Sequence, residues 1–181
     1  MKVWASFRIS KFRTPSRSGF TIVELLIVIV VVAILAAITV VAYNGIQSRA
    51  NDAAVQSDLE NIVKKIRVFH ATNSRFPQGY TDLVDTDLRV TRAAYSRGMY
   101  NGSSWYNIVY CWANSTNPDQ FAIVAQAKSG NVYQYSAGRV SQAAYTFATS
   151  SSANCNSAGV DISTSGRDWF YENDAWNAYA K

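Results

Sequence analysis

The chain opens with a cationic stretch, continues into a long apolar run, and only then acquires a mixed polar and apolar pattern. Residues 25–43, LLIVIVVVAILAAITVVAY, contain no charge over 19 positions. A helix rises about 1.5 Å per residue, so this run makes about 28 Å of helix, close to the apolar thickness of a bilayer. The pattern predicts a transmembrane helix.

A cleavable secretory signal is the rival interpretation, because it also combines a positive region with an apolar stretch. The apolar core of such a signal is only about 7–15 residues long and ends at a small-residue cleavage motif. Here the run is longer and continues without such a motif. Basic residues precede it and none follows immediately, which predicts a single-pass protein with its N-terminus in the cytoplasm and the residues after Tyr43 outside.

The sequence after the span keeps a helical period, and no proline occurs between Pro15 and Pro77. Its apolar positions form one stripe, while charged residues occupy the other faces. The stripe consists of Val55, Leu59, Ile62, Val63, Ile66 and Phe69. We therefore expect one helix from about Thr21 to about Thr72, about 78 Å long, whose first half is buried in lipid or against neighbouring copies.

The C-terminal region changes to a strand pattern. Residues 105–113, 120–127 and 131–136 are rich in aromatic and β-branched residues, and KSGN and SAGR between and after them have turn composition. They predict an antiparallel meander with RVSQAAYTF, residues 139–147, as a candidate fourth strand. A one-sided sheet and an amphipathic helix each need a cover, so the predicted fold is α+β, with the long helix packed on the sheet. Residues 150–159, SSSANCNSAG, are expected to form a polar loop.

The net charge of +5 belongs to the N-terminal tail alone. Five of the 17 basic residues lie in the first 19 positions, which hold no acid; the other 12 are matched by 12 acidic residues. The charge therefore does not indicate a nucleic-acid surface. The two cysteines, Cys111 and Cys155, and a single histidine, His70, are too few for a zinc site. In an exported domain a disulfide is favoured over two unpaired buried thiols.

The junction between the cationic tail and the apolar run reads SRSGFTIVELL, residues 16–26. Glu24 lies inside the apolar segment, where an ionised group is costly and usually has a partner or a function. Thr21 and Glu24 fit the capping box T-x-x-E, which satisfies free amides at a helix start. The capping box explains Glu24 locally, but it explains neither Gly19 nor the excess apolar surface of the helix.

This junction resembles the N-terminus of bacterial type IV pilins and pseudopilins. The resemblance covers residues 17 to about 50: a basic leader, Gly19, Phe20, a glutamate at the fifth position after the cut, and an unbroken apolar helix. It implies cleavage between Gly19 and Phe20 by a prepilin peptidase that also methylates Phe20. It further implies that Glu24 pairs with the Phe20 amine of a neighbouring subunit.

The resemblance implies three segments. Residues 1–19 are a cleaved leader; residues 20–73 are a helix with an apolar half, 20–45, and an amphipathic half, 46–73; and residues 74–181 are an extracellular domain with a disulfide-bounded C-terminal region. The implied partners are other copies in a helical filament, the peptidase, a pilus assembly platform and the membrane. No cofactor, metal or catalytic activity is implied. A pseudopilin of a secretion or DNA-uptake system, and a membrane-anchored binding or enzyme domain, stay as alternatives.

Other candidates are weaker. Many family members have a proline and a glycine where this chain has Val41 and Ala33. The resemblance therefore does not extend to the local unwinding of the helix that those two residues favour. His70 is interpreted as a helix-end residue. Four acids are candidates for binding calcium: Asp161, Asp168, Glu172 and Asp174. Two segments match the glycosylation pattern, Asn101–Ser103 and Asn114–Thr116. A basic cluster, Arg89, Arg92 and Arg97, is a candidate for contact with nucleic acid.

Overall fold

A computed structural model describes residues 19–96, 99–100, 105–113, 120–161, 166–172, 175–177 and 180. The chain divides into two compact units, residues 1–42 and residues 43–181. One helix, α1, runs without interruption from Ile22 to Asn73. The predicted long helix is therefore confirmed, and its ends lie within one residue of the expected positions.

In the first unit, the described part of α1 is apolar on every side and exposed on every side. An apolar side chain in water is unfavourable by about 25 cal/mol per Å² of exposed area, so such a surface requires a nonaqueous environment. The helix is long and apolar enough to cross a membrane. Leucine and alanine support its helicity, whereas the β-branched run Val28–Val32 contributes mainly apolar surface.

In the second unit, α1 is amphipathic and buries one stripe. Every predicted stripe residue except Phe69, which is partly exposed, is buried. The buried stripe joins sheet residues such as Ile108, Tyr110 and Ile123 in one apolar cluster. This arrangement confirms the predicted α+β fold, with the helix covering the sheet.

The main sheet has five antiparallel strands: β3 (Ile108–Trp112), β4 (Phe121–Gln126), β5 (Val132–Ser136), β6 (Arg139–Gln142) and β7 (Gly166–Trp169). Their order across the sheet is β6-β5-β4-β3-β7. The first four follow each other as the predicted meander. Between β5 and β6, Ala137 and Gly138 both have positive φ, as a two-residue hairpin turn with the twist of the sheet requires.

Shorter elements surround this sheet. They are α2 (Tyr80–Val84), a 3₁₀ turn (Arg92–Ala94), the hairpin β1 (Met99–Tyr100) with β2 (Trp105–Tyr106), α3 (Ser151–Ser157), and the hairpin β8 (Tyr171–Glu172) with β9 (Ala175–Trp176). The C-terminal aromatic segment packs back onto residues 88–95: Trp176 meets the Tyr95 ring edge-on, and Ala180 bridges to Leu88.

Two predictions for the C-terminal region are wrong. Residues 151–157 form the helix α3 instead of a polar loop, and the sheet is covered on both faces instead of one. Because side chains alternate along a strand, β3 directs Ile108 and Tyr110 toward α1, and Val109 and Cys111 toward a second cluster on the reverse face. That second cluster includes Cys155 and Phe147.

The fifth strand, β7, depends on one glycine. Gly166 is paired with Trp112 of β3, and a Cβ added at Gly166 would lie 2.1 Å from an atom of the Trp112 ring. The indole therefore lies directly across the glycine of the neighbouring strand and stacks on Tyr110 at 5.5 Å. Only glycine allows this close approach between strand and ring.

Two carboxylates on α1 hold loops of the domain to the helix. Asp52 accepts hydrogen bonds from Ser129 and Asn131 in the turn between β4 and β5. Asp58, only 7% exposed, accepts from the Thr91 amide at 2.6 Å and from the Tyr95 hydroxyl at 3.0 Å. A buried carboxylate must be compensated by such donors, so both contacts fix where the loops meet α1.

Asp58→Asn is expected to change how stability depends on pH. Burial raises the pKa of Asp58, and the hydrogen bonds from Thr91 and Tyr95 only partly oppose this. The folded chain therefore holds the proton more tightly than the unfolded chain. As pH rises from the unfolded pKa through the folded pKa, ionisation of Asp58 lowers the free energy of unfolding. The asparagine variant lacks this decline, so its stability relative to wild type rises across that window, measured by urea unfolding in detergent.

Asp85→Asn, at an exposed position, is the matched control. Parallel pH profiles for Asp58→Asn and wild type would contradict the prediction. Asp58→Ala is expected to be less stable than the asparagine variant by about 1–3 kcal/mol, because the Thr91 amide and Tyr95 hydroxyl lose their acceptor.

Candidate processing and assembly site

The structure places the predicted processing residues just before the first turn of α1. Gly19 and Phe20 precede the helix outside any helix or strand, and both are exposed. Phe20 is 81% exposed, so the peptide bond between them is open to an approaching enzyme. No atom lies within 4 Å of a Cβ built on Gly19. The fold therefore does not require glycine at this position, and a requirement for glycine must come from a partner.

The first turn of α1 is closed by the predicted capping box. The Thr21 amide and hydroxyl both donate to Glu24 Oε2 at 2.9 Å, and the Glu24 amide donates to Thr21 Oγ1 at 3.2 Å. The local interpretation of Glu24 is thus correct. The hydrogen bonds use one carboxylate oxygen, Oε2, and the side chain is exposed, so the carboxylate can still accept from a group outside the chain.

The two cysteines lie on neighbouring elements of the reverse face. Cys111 on β3 and Cys155 on α3 form a disulfide, with their Cα atoms 5.7 Å apart. Both are fully buried in the second apolar cluster. The bond closes a loop that contains β4, β5, β6 and most of α3. It therefore ties α3 to the sheet on the side opposite α1.

The disulfide was predicted from the sequence, but the helix that carries Cys155 was not. A local signal for it exists: Ser150 is the N-cap of α3, and its side chain accepts from the Ala153 amide. Asn154, fully buried in α3, donates to the Ala148 carbonyl and accepts from the Ala148 amide. Through these contacts, the polar residues Ser150 and Asn154 stabilise the helix and its packing.

The weaker candidates are dispersed. His70 is partly exposed in the last turn of α1 and stacks on Phe76 at 4.3 Å, in agreement with its interpretation as a helix-end residue. Arg92 donates to the Ala180 carbonyl and lies over the Trp176 ring, and Arg89 lies 3.8 Å from Asp87. Arg92 is thereby used to hold the C-terminal segment.

Of the four acids considered for calcium, the structure describes the side chains of two. Asp161 follows α3, and Asp168 lies within β7. The side chain of Glu172 and the whole of Asp174 lie outside the described residues, as do Arg97 and both glycosylation patterns, at Asn101 and Asn114. Among the residues that are described, no three histidine, cysteine, aspartate or glutamate side chains form a group suited to a metal ion.

Comparison with known proteins identifies the junction. A family profile described as "Prokaryotic N-terminal methylation motif" matches residues 14–40, which contain Gly19, Phe20, Glu24 and the start of the apolar run. Residues 14–40 therefore carry this motif. The resemblance to type IV pilins and pseudopilins is thereby confirmed at the N-terminus.

Two curated relatives are similar in sequence to part of the chain. The chain is 33% identical over 86 residues to the type IV wide pilus major component PilA4 of Thermus thermophilus, a match covering 48% of this chain and 66% of that protein. It is 34% identical over 65 residues to the type II secretion system core protein G of Klebsiella michiganensis, covering 36% and 46%. The match thus spans less than two thirds of either relative. No solved structure matches the chain.

Proposed function

We propose that this chain is a structural subunit of a type IV pilus. The observation that carries the proposal is the methylation motif at residues 14–40, which leads into the half of α1 that is apolar and exposed on all sides. Both relatives are named as components of assemblies, one as a major component of a pilus. In this function the apolar half of α1 anchors the subunit in the membrane and is then buried in the filament.

Processing creates the ammonium group with which Glu24 can pair. Hydrolysis of the peptide bond between Gly19 and Phe20 releases the basic leader with a carboxylate at Gly19 and leaves an ammonium at Phe20. The methyltransferase activity of the same enzyme then transfers a methyl group from a sulfonium donor to this nitrogen, which gives up one proton and retains a single positive charge. A neighbouring subunit's Glu24 carboxylate accepts a hydrogen bond from this ammonium, so each charge compensates the desolvation of the other.

The proposed topology follows from charge and from the disulfide. The five basic residues of the leader keep the N-terminus in the cytoplasm, where the peptidase acts. Residues 74–181 then lie outside the membrane, in the kind of compartment where a disulfide such as Cys111–Cys155 persists. The assembly platform acts on the membrane-anchored subunit.

Electron microscopy of surface filaments, with mass spectrometry of their subunit, tests the proposal. Filaments whose subunit begins at N-methylated Phe20 are expected. A chain that is retained in the membrane with its leader attached would contradict it. A pseudopilin is the second candidate, favoured by the match to core protein G; it predicts the same processed subunit in a secretion complex without long surface filaments.

Gly19→Val is expected to prevent removal of the leader. The fold tolerates a side chain at this position, since a Cβ there meets no neighbouring atom, so any loss must occur at the peptidase. Mass spectrometry should detect the chain with residues 1–19 retained. Gly45→Ala is the matched control, because Gly45 is also free of neighbours and alanine favours the helix. A Gly19→Val chain that begins at Phe20 would contradict the prediction.

A further inference from the structure

The second unit presents a face of α1, mostly uncharged, that nothing in the described chain covers. A helix turns about 100° per residue, so Val68 lies about 200° from the buried Ile66, on the side opposite the sheet. Tyr43 and Ile46 lie within about 40° of Val68 around the axis. These three are the large apolar residues of the second unit's α1 that are exposed, at 66%, 67% and 64%.

The exposed uncharged residues between them on this face are, in order along the helix, Ala50, Ala53, Ser57 and Asn61. Lys64, about 40° from Val68 around the axis, is the charged residue at the far end of the face. Arg49 and Glu60 lie to the side. Tyr43 is the last residue of the apolar run that the proposed filament buries, so this face continues along the same helix from that run.

The far end of this face opens into a groove of about 800 Å³ between α1 and residues 87–91. Its lining includes Ile62, Leu88 and Val90, which are almost fully buried, and Val68, which is exposed. Lys64 and Lys65 lie within about one helical turn of Val68 and can lie over an aromatic ring. Asp58, Asp87 and Arg89 line the same groove, so its charges are mixed.

We propose that this groove receives Tyr43 and Ile46 of a second copy of the chain, an inference that rests on the proposed filament. The two sets of residues are complementary: one is an exposed aromatic and an aliphatic side chain that nothing described covers, the other the exposed Val68 beside an apolar wall and two lysines. Val68 lies 22 to 25 residues beyond the first set along α1, or about 33–38 Å. Copies that place Tyr43 or Ile46 against Val68 are therefore displaced by that distance along parallel helices.

This contact is distinct from the pairing of Glu24 with the Phe20 amine. Those two groups are four residues apart, so their pairing joins copies displaced by only about 6 Å. The groove contact consequently involves a different neighbour. One filament subunit would be held by a short-offset charge pair at its N-terminus and a long-offset apolar contact at the groove.

Paired cysteines in filaments test the proposal. Tyr43→Cys or Ile46→Cys is combined with Val68→Cys in the full chain, and purified filaments are oxidised and run on a non-reducing gel. A disulfide needs Cα atoms within about 7 Å, and the paired positions are about 33–38 Å apart within one copy, so any bond must join two copies. We expect dimers and higher cross-linked multimers with at least one of these pairs, because each copy can be joined to two neighbours. The control, Tyr43→Cys with Gln56→Cys, places the second cysteine on an exposed position away from the groove and should give none.

Two results would overturn the proposal: filaments that carry both cysteines without forming a dimer, and equal cross-linking in the Gln56 control. If a double variant does not assemble, the two cysteines can be supplied on separate copies diluted into wild-type filaments, with the same outcomes. Absence of filaments from the wild-type chain, seen by electron microscopy, would instead contradict the proposed function, so the two failures are distinguishable.

Discussion

Glu24→Ala is expected to abolish filaments while leaving insertion of the helix and removal of the leader intact. The variant keeps the apolar run and Gly19, so the membrane and the peptidase meet the same features. It removes the carboxylate that the proposed pairing supplies to the Phe20 ammonium of a neighbour, which leaves that charge unpaired in an apolar filament. Counting filaments by electron microscopy, and confirming the mature N-terminus by mass spectrometry, measures both parts of the result.

Two further variants separate the charge of Glu24 from its role in the capping box. Glu24→Gln keeps an oxygen that can accept from the Thr21 amide but removes the negative charge. Thr21→Ala keeps the charge and removes the Thr21 hydroxyl from the box. We expect Glu24→Gln to lack filaments and Thr21→Ala to form them. The opposite pattern would show that helix capping, not charge pairing, is what assembly needs.

Removal of the disulfide is expected to lower the free energy of unfolding of the second unit by about 3–4 kcal/mol, by the chain-entropy estimate for a 44-residue loop. In Cys111→Ala/Cys155→Ala the unfolded chain regains the freedom that the bond removes. The small apolar replacements suit the buried cluster, although they leave it less well filled. Urea unfolding of the detergent-solubilised chain measures the difference.

Reductant provides the internal control for this prediction. Dithiothreitol should lower the unfolding midpoint of the wild-type chain toward that of the double variant, and should leave the double variant unchanged. A double variant as stable as the oxidised wild type would contradict the prediction. Since α3 is tied to β3 by this bond, proteolysis of reduced wild type is expected to begin in residues 143–160.

Physical patterns of different strength explain why some elements were predictable. In α1, apolar character over the first half and a regular stripe over the second are each repeated across many turns, so no single residue decides the helix. Strands β3, β4 and β5 combine β-branched and aromatic residues with turn residues between them. In all these cases the local preference agrees with the tertiary role.

The elements that were missed depend on contacts distant in sequence. Serine and asparagine compete for local backbone hydrogen bonds and so resemble a loop in residues 150–159. Their helix is held by the bond to Cys111 and by Asn154, which is buried against Ala148. The strand β7 contains glycine and charged residues, and its pairing with β3 relies on backbone hydrogen bonds and on the Trp112 ring across Gly166.

The sequence alone determined the long helix, the α+β class, the meander and the methylation motif, because each follows from patterns of residues that are close together in sequence. It also determined that Glu24 caps the helix, since a capping box needs only residues three positions apart. The tertiary structure alone decided which side chains of β3 face α1 and which face α3. It also decided that α1 retains a mostly uncharged outer face ending at a groove, because which face of the helix is buried depends on how the helix packs on the sheet.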